Sequence, residues 1–343
     1  MNSEDKISLS PWQVRCARAV SAWYMRSYYG TAQDPGVPAM FFDPGKVGAF
    51  AISQGDFESG DDDALFNLLI ATTMFQRRQD VQIMRVLRGM DEANAREITN
   101  MVGLLTDASE SPCDALSSNK ALLSLCDLTK DPETKLGICT YSPSCACGPK
   151  RHTVWLKRYG HFGKVPTSAA LMVRDAGAAS LSEVYADAIA RAADSSEAAS
   201  LLQQTLMSAW RVSDKIAAMY LSMLCDPLLS PSGHAPWSAG IDASAFVVID
   251  SNVDLFLKAI RYVGPMTYVK RRAFICALAR RVDLTEYGLS VAYSPRLVQQ
   301  AMYLFMSSTN RRALTLDCMH EDPPVCGSCP LPTRSICPTR VVS

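Results

Sequence analysis

Four cysteines, Cys318, Cys326, Cys329 and Cys337, stand within twenty residues of one another at the end of the chain, spaced Cys-x7-Cys-x2-Cys-x7-Cys. Gly327, Pro330, Pro332 and Pro338 lie among them. Such residues favour a tight loop over a helix. Apolar residues are too few here to order the segment by burial, so a metal held by the thiolates would supply its folding energy. Spacing alone admits one tetrahedral zinc or an iron–sulfur cluster, because both accept four thiolates.

The rest of the chain reads as helical. Ser10-Pro11 opens a helix, and Trp12, Cys16, Ala19, Val20 and Trp23 follow at helical spacing. Residues 34–60, rich in Pro, Gly and Phe, read as a loop. Asp61, Asp62 and Asp63 cap a helix over 64–75, where negative charge suits the helix dipole. Another helix starts at Asp91, and 109–120 and 131–150 look irregular. Helices are predicted again over 180–193, 196–208, 213–225, 250–263, 265–281 and 294–307. The one good strand signal is Phe246-Val247-Val248-Ile249, too short to build a sheet. The fold class is therefore all-α.

With 343 residues, 48% of them hydrophobic, the chain can bury a sizeable core. About two domains fit the prior of roughly 100–200 residues each. The expected division is 61–225 against 1–60 plus 226–343. Lys and Arg total 34, matching 34 acids, which argues against a tail-driven nucleic-acid binder but not against local basic patches. From 255 to 282 stand Lys258, Arg261, Lys270, Arg271, Arg272, Arg280 and Arg281 with no acid, a phosphate-binding pattern. No stretch is apolar enough to span a membrane, and the first ten residues are not a signal peptide. Twelve cysteines without such a signal suggest a reducing compartment, cytoplasmic or nucleoid-associated. Cys139, Cys145, Cys147 and His152 form a possible second metal set, for which buried or loop thiols are the plainer reading. Lys150, Arg151, Lys157 and Arg158 nearby are candidate DNA contacts.

Cys326-Gly327-Ser328-Cys329 with its flanking cysteines resembles the iron–sulfur loop of the endonuclease III family, among the helix–hairpin–helix DNA glycosylases. That family's outer spacings are slightly shorter. Residues 206–221, LMSAWRVSDKIAAMYL, resemble its hairpin and following helix, with Arg211-Val212-Ser213 in the turn and Lys215 on the family's lysine. Arg211 and Ser213 replace the two hairpin glycines, so the turn geometry is expected to differ. Such a turn presents backbone N–H groups to phosphate. Ser213 is also a good N-cap. Val248-Ile249-Asp250-Ser251-Asn252 resembles the segment carrying the essential aspartate; plain helix capping is the competing role for Asp250. Residues 66–76 resemble the family's first core helix, which puts Gln76 where the gap left by a flipped base is probed.

The resemblance implies a two-domain helical glycosylase acting as a monomer on double-stranded DNA, with a structural [4Fe–4S] cluster on the four C-terminal cysteines. It implies catalysis by Lys215 and Asp250. Gln76, Arg211, Val212, Ser213, Asn252, Lys270, Arg271 and Arg272 would contact DNA. A base must be flipped out before its bond is cut, into a cleft between the two domains. The carboxylate would stabilise positive charge on the sugar, and the lysine amine would attack C1′ and lead to strand cleavage. The alternative is a non-catalytic or monofunctional binder of altered DNA. The pattern does not name the base.

Overall fold

The computed structural model describes residues 7–31, 34, 37–76, 78–155, 160–230, 232–313, 318 and 325–340. These residues are predominantly helical. The chain divides into two units: residues 38–227 with 234–245, and residues 1–37 with 228–233 and 246–343. Residues 38–60 and 234–245, assigned from sequence to the second domain, fall in the first of these.

Helix α1 (Pro11–Ser27) opens the smaller unit. Its start is a capping box: Ser10 accepts from Gln13 N while the Gln13 side chain accepts from Ser10 N. The larger unit then holds α2 (Pro44–Val47), α3 (Gln54–Ser59), α4 (Asp62–Thr73), α5 (Asp80–Arg88), α6 (Glu92–Thr99), α7 (Met101–Glu110) and α8 (Asn119–Leu125). A minimal antiparallel pair follows, β1 (Thr129–Lys130) with β2 (Gly137–Ile138). Then come α9 (Gly148–Trp155), α10 (Val165–Asp175), α11 (Leu181–Arg191), α12 (Ser195–Met207) and α13 (Asp214–Cys225). The chain returns to the smaller unit with α14 (Ser251–Ala259), α15 (Tyr268–Ala279), α16 (Pro295–Met306), α17 (Ser308–Ala313) and α18 (Leu331–Ile336).

In the larger unit, α4, α10 and α13 are buried along almost their whole length. A helix apolar on every side has to be surrounded, and α4 and α10 pack on each other while α13 packs on α4. The Tyr220 hydroxyl, fully buried in α13, donates to Leu65 O of α4 at 3.0 Å, which fixes the register of the pair. Asp61 caps α4 by accepting from Ala64 N, as its acidic start suggests. In the smaller unit α16 plays the central part, packed against α1, α14 and α15.

Four local expectations are corrected. Residues 38–60 are not loop throughout but carry short 3-10 turns, α2 and α3, so the Pro and Gly there start and stop brief helices. Helices α5 and α10 form where no helix is expected; small residues such as Ser168, Ala169 and Ala170 mask the apolar period of α10. Residues 246–249 are buried but pair with no strand among the described residues; Val247 O accepts from the Tyr268 hydroxyl at 2.6 Å instead. The cysteine tail is not all loop, because Pro332 sits in the first turn of α18, where its missing N–H costs nothing.

Candidate functional site

The turn between α12 and α13 is the centre of the candidate site in the larger unit. Trp210 N donates to the buried Ser168 hydroxyl at 2.7 Å, and that hydroxyl donates to Asn119 Oδ1 at 2.6 Å. Arg211 follows with φ +66°, a left-handed conformation that glycine adopts freely and other residues resist. Of the two positions that replace the family's glycines, Arg211 adopts the left-handed conformation without glycine and Ser213, at φ −90°, does not. The cost at Arg211, about 1–2 kcal/mol, is met by surrounding contacts. Gln76 Nε2 donates to Arg211 O at 2.8 Å, and the guanidinium lies 5.1 Å from the Trp210 ring. On the same ring sits the buried Lys164 ammonium, 3.9 Å from the centroid.

Gln76 also donates to Thr73 O at 2.7 Å. Its amide NH2 is therefore engaged with two carbonyls, clamping the end of α4 to the hairpin. Val212 is buried, so only its backbone is available to a ligand. Ser213 stands at the N-cap of α13, exposed, but its hydroxyl makes no cap hydrogen bond, which corrects the capping expectation. Lys215 lies in the first turn of α13, half-buried, and its Nζ donates to Phe75 O at 2.9 Å. The segment just past α4 thus supplies both partners of the site: the Gln76 amide holds the bend and the Phe75 carbonyl aims the lysine. Neither link has a signal in sequence spacing.

In the smaller unit Asp250 is the N-cap of α14. Its Oδ1 accepts from Asn252 N at 3.0 Å and Val253 N at 2.9 Å, and Asn252 Nδ2 approaches Oδ2 at 3.4 Å. Capping is therefore one role of this carboxylate. A hollow of about 410 Å³ opens beside the first turn of α14, lined by Ser251, Asp254, Leu255, Lys258, Tyr262 and Met266. Lys270 is exposed, whereas Arg271 pairs with Asp254 at 2.5 Å and Arg272 is half-buried. The acid-free run starts one residue after the acid that neutralises one of its arginines. Lys157 and Arg158 lie outside the described residues.

The C-terminal cysteines gather around Arg311, a residue no motif marks. Arg311 is 1% exposed and lies 5.2 Å from the ring centroids of both Trp23 and Phe305, which pack edge-on to each other. Its guanidinium donates to Cys318 Sγ at 3.3 Å and Cys337 Sγ at 3.6 Å, and to Phe305 O at 3.2 Å. Cys326 and Cys337 are neighbours of Cys329, whose thiol is pushed up by burial and by those two cysteines, against the pull of Arg311 and Arg334. Residues 319–324 of the loop lie outside the described residues. Among the described residues, no group of three or more His, Cys, Asp or Glu side chains is placed to hold a metal ion. No described helix is long and apolar enough to cross a membrane. No protein-family model matches this chain, and no curated protein matches it.

Proposed function

We propose that this protein is a DNA glycosylase with lyase activity, using Lys215 as nucleophile and Asp250 as the transition-state carboxylate. The observation that carries the reading is the α12–α13 hairpin: a left-handed turn at Arg211 leads straight into a helix whose first turn holds a lysine amine aimed by the Phe75 carbonyl. A neutral amine that donates one hydrogen to a carbonyl keeps its lone pair for attack. As the C1′–base bond breaks, the base leaves with the bonding pair, and the amine lone pair forms the new C1′–N bond. The amine then loses a proton to the departed base, and the nitrogen lone pair forms the Schiff base as the C1′–O4′ bond opens with its pair on a sugar oxygen protonated from solvent, ahead of strand cleavage. Positive charge on the sugar is at its greatest as the base departs, which is what a fixed carboxylate at Asp250 serves.

The N–H groups opening α13, with no Ser213 hydroxyl bound to them, suit a DNA phosphate. Lys270 and Arg272 extend the phosphate contacts, giving salt-sensitive affinity for duplex DNA. Cys318, Cys326, Cys329 and Cys337 would hold the [4Fe–4S] cluster, with zinc as the alternative. The donor chemistry supports this: four thiols, two of which accept hydrogen bonds from a buried guanidinium that suits thiolate charge. Such a cluster would order the tail and allow one-electron exchange, apart from the base chemistry. The altered hairpin gives the non-catalytic reading its motive, and the left-handed Arg211 weakens that motive.

The test is to incubate the purified chain with duplex DNA carrying an abasic site and add borohydride. A covalent adduct, lost in Lys215→Ala with DNA binding intact, is expected. Absence of the adduct from a chain that binds DNA removes the lyase claim and leaves a monofunctional enzyme resting on Asp250 or a non-catalytic reader.

A further inference from the structure

Five other cysteines, Cys113, Cys126, Cys139, Cys145 and Cys147, converge in the larger unit from four separate places. Cys113 follows α7, Cys126 closes α8, Cys139 follows β2, and Cys145 and Cys147 precede α9. Cys126 and Cys147 lie in one buried apolar cluster with Leu116, Leu122 and Leu128, Cys113 and Cys145 pack against it, and Ser142 O accepts from both Cys139 Sγ at 3.4 Å and Cys145 N at 3.3 Å. Cys145 also reaches Cys147. All five are free thiols, Cys126 and Cys147 buried and the other three half-buried. His152, the imidazole the sequence places with them, turns instead toward Trp155 and Glu97.

The segment these thiols enclose has almost no core of its own. Between residues 127 and 146 Leu128 is the one buried side chain, while Leu136, Ile138 and Tyr141 are 52%, 45% and 43% exposed. Its regular structure is two residues of strand on each side of a turn with Lys135 at φ +63°. Fixing a residue costs about 1–2 kcal/mol of backbone entropy, and one buried leucine returns about 1.5–3 kcal/mol. Apolar burial therefore does not hold the segment. Two buried lysines flank the thiols: Lys164 beside Cys126, donating to its carbonyl at 2.7 Å, and Lys150 beside Cys145. Neither makes an ion pair with a carboxylate among the described residues, a placement that suits a net negative centre.

We propose that this knot is a structural zinc site, formed by Cys113, Cys139 and Cys145 with either Cys126 or Cys147 as the fourth thiolate. The thiols share one neighbourhood without yet closing on a common point, and side-chain rotation would bring four of them onto the ion. Each ligand yields its thiol proton to solvent, no electrons move, and the four thiolates on one divalent ion leave a net double negative charge facing Lys150 and Lys164. The site is independent of the DNA chemistry and separate from the C-terminal cysteines.

The experiment is metal analysis of the full chain, purified without chelator, for zinc and iron together. One zinc per chain is expected, lost in Cys113→Ser and kept in Cys318→Ser, with Cys126→Ser and Cys147→Ser separating the fourth ligand from the spare thiol. If Cys113→Ser does not fold, the wild-type chain is treated with an organomercurial in the presence of a chromophoric zinc chelator. Release of one zinc, with mass mapping of the modified thiols to these five, supports the site. A chain that folds without zinc, zinc that persists in soluble Cys113→Ser, or zinc released only with modification of the C-terminal cysteines overturns it.

Discussion

The two cysteine clusters differ in what their nearest cations hold. At the C-terminus Arg311 points its N–H groups at two sulfurs and lies against a pair of aromatic rings that pack edge-on to each other. In the central knot Lys164 donates to Cys126 O, and Lys150 donates to Ser142 O at 2.5 Å and Pro143 O at 3.1 Å. One cation grips the thiols themselves; the other two grip the backbone that carries the thiols. With the proposed metals in place, removing the first should reach the C-terminal metal, and removing the others should loosen a loop that the proposed zinc would still hold.

Arg311→Met breaks the comparison at its strongest point. The substitution keeps much of the volume against Trp23 and Phe305 but leaves Phe305 O and two sulfurs without their donor. Taking one partner from a buried charged contact costs about 3–5 kcal/mol. The expected outcome is a large drop in unfolding free energy with loss of iron and retention of zinc. Iron content at the wild-type level would show that the guanidinium only packs there.

Lys164→Met tests the other side. A buried hydrogen bond from a charged group contributes about 1.5–3 kcal/mol, and relief of the ammonium's desolvation offsets part of that, so a loss of about 1–2 kcal/mol with zinc retained is expected. The sign with pH is specific. Burial lowers the Lys164 pKa below its ordinary 10.5, helped by Arg211 and opposed by Cys126 and Asp127. Between the lowered value and 10.5 the unfolded chain binds more protons than the folded one, so wild-type stability gains as pH rises through that window. Lys164→Met should lack that gain in urea titrations; an equal gain in both proteins would assign it elsewhere.

The difference also explains what the sequence showed. The C-terminal cysteines are legible because they are neighbours in the chain. In the knot Cys139, Cys145 and Cys147 are equally close, but Cys113 and Cys126 arrive only because α8 folds back beside them, and spacing carries no trace of that. His152 is a false ligand for the same reason, adjacent in sequence and turned away by α9. At the hairpin, residue type identified the place, but what makes Arg211 tolerable there, the Gln76 amide and the Trp210 ring, comes from 135 positions away and from the next residue respectively. Helix starts such as Asp61 and Asp250 were readable because capping is local chemistry.

Arg211→Gly sharpens that point. It relieves a left-handed residue, worth about 1–2 kcal/mol, and removes a buried Nε without a hydrogen-bond partner. It loses the contact with Trp210, worth about 0.5–1 kcal/mol, and adds the glycine's freedom to the unfolded chain. A net gain of up to about 1 kcal/mol in the urea midpoint is expected. A loss would mean that the guanidinium carries more of the turn than the geometry suggests.

The smallest effect belongs to a contact that the knot has and the tail lacks. Glu97 of α6 reaches α9, one and two residues past Lys150, through Arg151 at 3.0 Å and His152 at 3.6 Å. His152 first and then Arg151 hold its carboxyl below the ordinary 4.5, against the upward push of burial. A lowered carboxylate stabilises the fold above 4.5, and that contribution is lost as pH falls through the lowered value. The Glu97 side chain is 39% exposed, so solvent screens the pair and its worth is no more than about 0.5–1 kcal/mol. Glu97→Gln should therefore cost that much at neutral pH and show a shallower decline as pH descends through 4.5. Zinc content should be unchanged, because the contact orients the helix after the knot and touches none of its sulfurs. An unaltered acid decline would mean that His152 and Arg151 are held by α9 alone, leaving the knot's ligands and lysines as the whole of what fixes that end of the segment.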